Sequence, residues 1–384
     1  MTDIDPATTE AAPKYSPLHD IHVAAGASFT DFAGWQMPVS YGSDLAEHHA
    51  VRTTAGIFDI SHMAEIVVTG PDAAAFLDYA LAGNITAVPL MRAKYSLLLS
   101  DAGGVVDDLI VYHNVQGEYF VVANAGNRET VAAELLLRAA AFDVTVTDVS
   151  DAISLIAVQG PNARAILQAT VGLTEVEELS GGATLDTVKY YACLGMGFGT
   201  SAVLVGRTGY TGEDGFELYV DVDQAAALWR ALLTAGADHG LVQAGLASRD
   251  TLRLEAGMPL YGHELGLDTL PAQAGLGRVV ALAKQGDFVG RAAIEAGPPA
   301  DAPVLVGLTT GGRRAGRAGY PVFDGEREVG VITSGALSPT LGYPIAMASV
   351  EPGSVASGTL FVDVRGTRIA ASVVPLPFYK REAK

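Results

Sequence analysis

The segments AEIVVTGPDAAAFLDYAL (64–81) and SLIAVQGPNARAILQATV (154–171) begin 90 residues apart and share one pattern. Each has a run of mostly apolar residues, then Gly-Pro, then an Ala/Leu-rich run, which predicts a strand followed by a helix. Pro71 and Pro161 suit the first turn of each helix, where a missing N–H costs nothing. The alternative is a chance match, because Gly-Pro before a helix is a common combination.

The residues after each segment continue in the same order. Lys94-Tyr95 and Lys189-Tyr190 are each followed by alternating, strand-like stretches. A helix is then predicted at about 128–141 in the first copy and at about 223–236 in the second. We infer a duplicated β-α-β-β-α unit, in which an antiparallel sheet is backed by helices.

The last part of the chain has a different pattern. After a helix predicted at about 245–256 and the turn-rich run 297–299, short alternating strands are separated by Gly- and Pro-containing turns. The predicted strands are 304–309, 327–333, 346–350, 359–364 and 368–374. This spacing favours a small β-barrel that forms a separate C-terminal domain.

These patterns divide the chain into two predicted domains. Residues 1–298 hold the two copies, at roughly 50–145 and 146–260, with the N-terminal segment packed on them. Residues 299–384 hold the barrel. The length of 384 residues suits two or three structural units.

Composition excludes several classes of protein. With 49% hydrophobic and 17% charged residues, the chain has material for a globular core. Its net charge of −19 repels nucleic acid and anionic membrane surfaces. No uninterrupted apolar stretch reaches the ~18 residues of a membrane helix, and residues 1–17 lack a signal-peptide core. With Cys193 as the single cysteine, we expect a cytoplasmic protein in a reducing compartment.

Positive charge is concentrated late in the chain. Residues 278–327 hold seven Lys/Arg against five Asp/Glu, whereas residues 1–60 hold two against eight. Arg313, Arg314 and Arg317 lie close together in that stretch. We expect an acidic partner to dock there; the alternative is a solvated loop with incidental arginines.

The usual cofactor and metal motifs are missing. The run 195–199 is rich in glycine, but neither a helix nor a closing acidic residue follows it, and we interpret it as a flexible hairpin segment. Walker A, HExxH, paired-cysteine and GxSxG motifs do not occur. The pairs His19/His22 and His48/His49 lack an Asp/Glu/His partner set, so we expect solvated or hydrogen-bonded histidines and no metal site.

Asp107 and Asp108 stand directly before the apolar run Leu-Ile-Val-Tyr. Successive side chains of a strand face opposite sides, so one carboxylate points with Ile110 and Tyr112 and the other points away. A carboxylate among apolar neighbours needs hydrogen-bond donors, and a ligand amine can supply them. The alternative is a turn in which both carboxylates accept backbone N–H groups.

The stretch RTGYTGEDGFE (207–217) places three glycines between predicted strands. The resulting tight loop presents Tyr210 and three acidic residues, and it lets a ligand approach the backbone closely. The Glu217 carboxylate suits two parallel N–H donors on a planar ring edge, as in a pterin or a guanine. A turn with incidental acids is the alternative.

The third polar cluster lies on the helix predicted at 245–256. Arg249 and Arg253 are four residues apart and share a face, as do Asp250 and Arg253. A surface array of ion pairs explains this cluster as well as a binding site does.

The three polar clusters belong to a series of longer motifs that occur along nearly the whole chain. They are DFAGWQMPVSY (31–41), HAVRTTAGIFDISHM (49–63), GGVVDDLIVY (103–112), QGP (159–161), RTGYTGEDGFE (207–217), RDTLRLEAGMPLYG (249–262), SGALSPTLG (334–342) and PFY (377–379). In this order they resemble the aminomethyltransferase, or T-protein, family of the glycine cleavage system. The sequence departs from the family at GLAS (245–248), usually Gly-Leu-Gly-Ala, and at Arg278, usually an aromatic residue.

The resemblance implies an α+β fold in which two ferredoxin-like antiparallel sheet units and a C-terminal β-barrel form a cloverleaf around folate. It also implies the reaction. A methylene group passes from an aminomethylated dihydrolipoyl arm on the H-protein to tetrahydrofolate, and ammonia and 5,10-methylenetetrahydrofolate are released. Tetrahydrofolate is then the acceptor substrate, the lipoylated H-protein is the partner, and no metal takes part.

The resemblance further implies roles for particular residues. Asp108 is the catalytic carboxylate that bonds the folate amine and positions it for attack. The implied folate contacts are Tyr95, Ile110, Tyr112, Tyr191, Tyr210, Glu217, Arg249 and Arg381. Among them Glu217 accepts hydrogen bonds from the ring edge, and Arg381 contacts the folate tail. For the acidic H-protein, the docking positions that we expect are Arg291, Arg313, Arg314 and Arg317.

Two other functions belong to the same superfamily. A folate-dependent demethylase would take a methyl group from a sulfonium, ether or amine; the Asp108 context and the full set of motifs argue against it. A non-enzymatic folate-binding factor for iron–sulfur assembly would use a cysteine in a Lys-Gly-Cys-Tyr type motif. Here the corresponding loop reads Arg-Thr-Gly-Tyr (207–210), and Cys193 lies elsewhere.

Overall fold

The computed structural model describes residues 12–356 and 359–381. Its first repeat unit is a five-stranded antiparallel sheet. In spatial order the strands are Arg92–Leu99, Val105–Val115, Glu118–Ala123, Ala64–Thr69 and Thr145–Asp148. The helices Ala73–Ala80 and Arg128–Arg138 cover one face and bury Phe76 and Leu135 against it.

The second unit is a seven-stranded sheet that repeats this arrangement. In spatial order its strands are Leu173–Glu175, Cys193–Phe198, Ser201–Gly206, Gly215–Asp221, Ile153–Gln159, Ala55–Asp59 and Leu241–Gln243. Only the last pair is parallel. The helices Ala163–Ala169 and Ala225–Gly236 pack on one face around the fully buried Trp229. The four strands in positions two to five match the first four of the other sheet in order, which confirms the duplication.

The two Gly-Pro turns differ from the prediction in one detail. Pro71 and Pro161 lie before the N-caps Asp72 and Asn162, so they are outside the first helical turn. A tight turn precedes each helix: the backbone N–H of residue 73 donates to the carbonyl of residue 70, and the same bond joins residues 163 and 160. Each proline fits there because that turn does not require its missing N–H.

The glycine-rich run 195–199 lies in a β-hairpin, as predicted, but residues 195–198 belong to a paired and mostly buried strand. Cys193–Phe198 pairs on both sides, with Leu173–Glu175 and with Ser201–Gly206. A Cβ on Gly195 would lie 2.4 Å from the Cβ of Leu179. This glycine therefore allows a neighbouring segment to pack against the sheet, and only the turn at residue 199 has positive φ.

The C-terminal part is a closed six-stranded barrel. Around the barrel the strands are Val304–Thr310, Pro344–Val350, Arg327–Leu337, Pro321–Asp324, Thr359–Val364 and Thr367–Val374. The predicted strands are present, and Pro321–Asp324 is an additional one; it has four residues and begins with proline, which gives little strand signal. The α+β class, the duplicated unit and the barrel are confirmed, whereas the predicted domain boundaries stay predictions.

Residues before the first repeat form a small three-stranded sheet and two helices. The sheet contains Lys14–Tyr15, Trp35–Ser40 and Ser28–Phe32, and the helices are His19–Ala24 and Asp44–Thr53. The remaining α-helices of the described residues are Glu177–Ser180, Leu246–Glu255, Arg291–Ala296 and Pro352–Val355. Short 3-10 helices are Ala125–Asn127, Ala139–Ala141, Ala237–His239 and Gly277–Val279.

Glu255 joins the barrel to the rest of the chain. Its Oε1 accepts hydrogen bonds from Ser338 Oγ at 2.5 Å and from the backbone N–H of Thr340 at 3.0 Å. Its Oε2 accepts from Arg52 Nη2 at 2.8 Å and lies 3.2 Å from His48 Nε2. Burial alone would raise the pKa of Glu255, but His48, Ser338 and Arg52 outweigh it and lower the pKa to about 2.

We expect Glu255→Gln to lower the free energy of unfolding by about 2–3 kcal/mol, because it removes one of the two buried carboxylates that pair with Arg52; Glu213 is the other. The folded pKa of Glu255 lies below the ordinary 4.5, so its stabilisation is present above about pH 5 and is lost as the pH falls toward 2. Urea unfolding at pH 7 and pH 3 measures both effects. The control is Glu326→Gln at an exposed side chain, which should change stability by less than about 0.5 kcal/mol. Equal effects of the two substitutions would contradict the role of Glu255.

Candidate active site

A cavity of about 280 Å³ is lined by both repeat units. The first sheet contributes Tyr95, Asp108, Ile110 and Val122, with Asn124 directly after it, and the second sheet contributes Leu155, Glu217 and Tyr219. The wall also includes Tyr191, Tyr210, Arg249, Leu276, the segment 258–261 and residues from the N-terminal part of the chain. The cavity is therefore aromatic and apolar with a few polar groups, as is typical of sites for small organic ligands.

The two aspartates face opposite sides of the strand Val105–Val115. Asp108 lines the cavity, where its Oδ2 accepts a hydrogen bond from the Tyr95 hydroxyl at 2.9 Å. Asp107 is fully buried on the other side and accepts hydrogen bonds from Asn124 and Asn127. Both residues are thus in mid-strand, and the alternative that placed them in a turn is wrong.

The amide of Asn124 connects the two carboxylates. Its Nδ2 donates to Asp107 Oδ1 at 2.8 Å and to Asp108 Oδ1 at 2.9 Å. Burial raises the pKa of Asp108 above its ordinary value, although the bonds from Tyr95 and Asn124 oppose this. Burial and then the charge of Asp108 raise the pKa of Asp107 to about 7. The pair can therefore hold a proton near neutral pH.

Glu217 forms the second polar region of the cavity. Its Oε2 accepts a hydrogen bond from Thr208 Oγ1 at 2.5 Å, and the Tyr112 hydroxyl lies 2.6 Å from Thr208 Oγ1 and 3.4 Å from Glu217 Oε2. Within the described residues, Glu217 Oε1 accepts no hydrogen bond. Burial raises the pKa of Glu217, while Thr208 and the charge of Arg249 lower it.

Arg249 brings a positive charge into the same cavity. Its guanidinium lies 4.6 Å from the centre of the Tyr210 ring. Burial lowers the pKa of Arg249, and among the residues that the structure describes its side chain forms neither an ion pair nor a hydrogen bond. Arg253, on the same helix, is instead bound to Asp250 and Glu264. The Arg249 cation and the free oxygen of Glu217 can both bind a ligand.

Most of the residues implied by the resemblance meet in this cavity. Asp108, Tyr95, Ile110, Tyr191, Tyr210, Glu217 and Arg249 line it. Tyr112 does not line it, because its ring is fully buried behind Glu217, where it supports that carboxylate. Arg381 also lies outside, 3.5 Å from Asp214 and stacked toward Tyr190, which is next to Tyr191 in the chain.

The four arginines predicted for docking differ in their surroundings. Arg291 forms ion pairs of 3.6 and 3.0 Å with two acidic neighbours. Arg317 donates to a backbone carbonyl at 3.1 Å. Arg313 and Arg314 are exposed and form no ion pair within the described part of the chain. Within the described residues, the positive charges of Arg313, Arg314 and Arg317 therefore have no acidic partner, and Arg313 and Arg314 stand next to each other.

A second, more open depression of about 710 Å³ surrounds Phe288. Its Lys284 donates to three backbone carbonyls at 2.6 to 2.7 Å, and its Arg291 is ion-paired. Both cations of this depression already have partners. The smaller cavity, which contains unmatched polar groups, is therefore the better candidate site.

Sequence reasoning missed several residues of the cavity wall. They are Phe32, Ile60, His62, Met63, Leu109, Val122, Asn124, Leu155, Gly209, Tyr219, Leu276 and the segment 258–261. His62 and 258–261 lie within quoted motifs. Asn124 directly follows the apolar strand Glu118–Ala123, so a polar residue at the end of an apolar run was the available signal. Among the described residues, no group of three His, Cys, Asp or Glu side chains could hold a metal ion. In the same part of the chain, no helix is long and apolar enough to cross a membrane.

Comparisons with known proteins agree with this geometry. Residues 18–284 match the family model of the GCVT N-terminal domain, and residues 304–380 match that of the glycine cleavage T-protein C-terminal barrel domain. An aminomethyltransferase from Cutibacterium acnes is 60% identical over 372 residues, which is 95% of this chain and 98% of that protein. An aminomethyltransferase from Moorella thermoacetica is 47% identical over 374 residues, which is 97% of this chain and 99% of that protein.

A solved structure agrees as well. The crystal structure of glycine cleavage system aminomethyltransferase T from Bartonella henselae superposes with a TM-score of 0.85 at 37% identity, covering 96% of this chain and 98% of that one. Fold and cavity thus define an enzyme of the aminomethyltransferase class. The chain belongs to the glycine cleavage T-protein family, which confirms the family and the activity predicted from the sequence.

We expect Asn124→Ala to raise the pKa values of the two carboxyls further, because it removes hydrogen bonds that favour their charged forms. The protonated carboxyl band in difference infrared spectra, followed from pH 4 to 9, measures this shift, and Asp107→Asn assigns the band. Asn114→Ala is the matched control, since Asn114 lies on the strand that carries Asp107 and Asp108 but does not line the cavity. An unchanged titration in Asn124→Ala would contradict the bridging role of the amide.

Proposed function

We propose that this chain transfers a methylene carbon from the aminomethylated dihydrolipoyl arm of an H-protein to tetrahydrofolate. The products are 5,10-methylenetetrahydrofolate, ammonia and the dihydrolipoyl H-protein. The observation that carries the proposal is that Asp108 of one repeat and Glu217 of the other line a single aromatic cavity. The cytoplasmic location expected from the sequence stays a prediction.

The chemistry of tetrahydrofolate matches the two polar regions of the cavity. Its pterin ring has an edge with neighbouring N–H donors, which suits the free Oε1 of Glu217. The same edge has a carbonyl oxygen that can accept a hydrogen bond from Arg249. Tyr95, Tyr191 and Tyr210 supply flat apolar surface for the ring. Arg381 lies near Tyr190 and is our candidate contact for the anionic folate tail.

Asp108 is the group that would act on the reacting nitrogens. In the reaction two C–N bonds form at the folate, while the C–N bond to ammonia and the C–S bond to the lipoyl arm break. Two protons leave the folate nitrogens, and the leaving nitrogen and sulfur each gain one. A carboxylate that accepts a hydrogen bond from the folate amine orients its lone pair toward the methylene carbon. The raised pKa values of Asp108 and Asp107 allow the pair to take up a departing proton.

The first test is single-turnover formation of 5,10-methylenetetrahydrofolate from aminomethyl-loaded H-protein. We expect Asp108→Asn to slow product formation by about 100-fold or more while tetrahydrofolate still binds, because the hydrogen-bond acceptor is lost. Asp101→Asn, at an exposed turn, is the control and should retain the parent rate. If the parent binds tetrahydrofolate but forms no product, the donor is wrong and a demethylase is favoured.

The second test concerns the H-protein. We expect the double substitution Arg313→Glu and Arg314→Glu to raise the KM for an acidic H-protein by about three- to tenfold at low salt, and less at high salt. Tetrahydrofolate affinity should not change, because these side chains do not line the cavity. Arg365→Glu, at another exposed arginine of the barrel, is the control. Equal losses for both substrates would contradict docking at this site.

A further inference from the structure

The C-terminal tail that follows the last barrel strand is anchored to the rest of the chain. Leu376 and Phe378 pack in an apolar cluster with residues of the barrel. The backbone N–H of Tyr379 donates to the carbonyl of Glu255 at 2.8 Å. Arg381 follows directly after these anchors, so the anchored residues determine where its side chain can reach.

The Tyr379 side chain adds an anchor on the second repeat. Its hydroxyl donates to Glu213 Oε1 at 2.8 Å, and the Arg52 guanidinium lies 4.2 Å from the centre of its ring. Arg52 Nη1 also lies 3.1 Å from Glu213 Oε1. Glu213 precedes Asp214 in the chain, and Asp214 is the carboxylate nearest to Arg381. The Tyr379 hydroxyl therefore fastens the tail beside the place that Arg381 occupies.

Arg381 retains positive charge for a ligand. It lies 3.5 Å from Asp214 Oδ1, but Asp214 already accepts hydrogen bonds of 2.8 and 2.7 Å from Arg207. Two arginines share one carboxylate there, which leaves a net positive charge. The Arg381 side chain is 35% exposed and extends over the Tyr190 ring, which packs against Tyr191 of the cavity wall. This charge is therefore at the edge of the cavity and accessible to an anion.

We propose that Tyr379 is a positioning residue: by bonding Glu213 it holds Arg381 at the edge of the cavity, where Arg381 binds the anionic tail of folate. This inference rests on the proposed function, which takes tetrahydrofolate as the ligand and Arg381 as the contact for its tail. An arginine on an unanchored chain end loses more conformational entropy when it binds an anion. Tyr379 does not line the cavity, so its effect is on the tail and not on the pterin ring.

The test is a double-mutant cycle of Tyr379→Phe and Arg381→Gln, with tetrahydrofolate affinity measured by anaerobic calorimetric titration. We expect Arg381→Gln to weaken binding about three- to tenfold, because a charge-assisted hydrogen bond to the tail is lost. Tyr379→Phe keeps the ring beside Arg52 and loses only the hydroxyl, and it should weaken binding about two- to fivefold. The double variant should bind as Arg381→Gln does, since Tyr379 acts through Arg381.

A second ligand separates the tail from the ring. 6-Methyltetrahydropterin keeps the pterin ring and lacks the anionic tail, so the parent and both single variants should bind it equally well. The matched control is Tyr320→Phe. The Tyr320 hydroxyl lies 3.5 Å from Arg365 Nε and does not line the cavity, so this variant should bind both ligands as the parent does.

Three results would overturn the inference. Parent-like tetrahydrofolate affinity of Tyr379→Phe or of Arg381→Gln would show that the anchored arginine does not bind the tail. Additive losses in the double variant would show that Tyr379 does not act through Arg381. Equal losses for tetrahydrofolate and 6-methyltetrahydropterin in Tyr379→Phe would show that the residue supports the fold instead. A parent that does not bind tetrahydrofolate would overturn the proposed function itself, which distinguishes that failure from the other three.

Discussion

The hydrogen-bonded contact of Tyr112 with Thr208 and Glu217 fixes one repeat against the other. It needs the glycine at 206, because a Cβ there would lie 2.5 Å from the Tyr112 hydroxyl oxygen. Tyr112 and Asp108 are on the same strand and on the same face, four residues apart, which is about 14 Å along the strand. The contact that places Glu217 therefore also sets the position of Asp108. The two polar regions of the cavity keep a fixed separation because one strand carries both Asp108 and Tyr112, and Tyr112 contacts Glu217.

The cavity contains polar groups that the protein itself does not satisfy. Glu255, Arg253 and Lys284 are buried or nearly so, and each has several hydrogen-bond partners in the protein. In the cavity, within the described residues, Arg249 has no ion pair and Glu217 Oε1 accepts no hydrogen bond. Unmatched buried polar atoms also lie outside the cavity, among them both carboxylate oxygens of Glu65 and the indole nitrogen of Trp229. Arg249 and the free oxygen of Glu217 differ from these because they line a cavity in which a ligand can supply their partners.

Sequence patterns predicted the features that depend on local periodicity. The repeat, most of the barrel strands and the opposite orientation of the two aspartates follow from alternation along strands. Tyr112 shows the limit of this reasoning. The sequence correctly predicted the side of the strand to which its side chain points. Whether that side chain lines the cavity or is buried behind another residue depends on the sheet that faces it. The strand Pro321–Asp324 is too short for a periodic signal, and the position of Arg381 depends on its tertiary partner Asp214. His62 was inside a quoted motif, but its place in the cavity wall is visible only in three dimensions.

The central claim is that the pterin ring lies between the repeats, with its donor edge at Glu217 and its reacting nitrogens at Asp108. A crystal structure of the protein with 5-methyltetrahydrofolate bound tests this most directly. It should show ring N–H groups about 3 Å from Glu217 Oε1 and a folate amine nitrogen within hydrogen-bond reach of Asp108. Folate bound in the open depression around Phe288, or bound in the cavity with its ring edge turned away from Glu217, would contradict the claim.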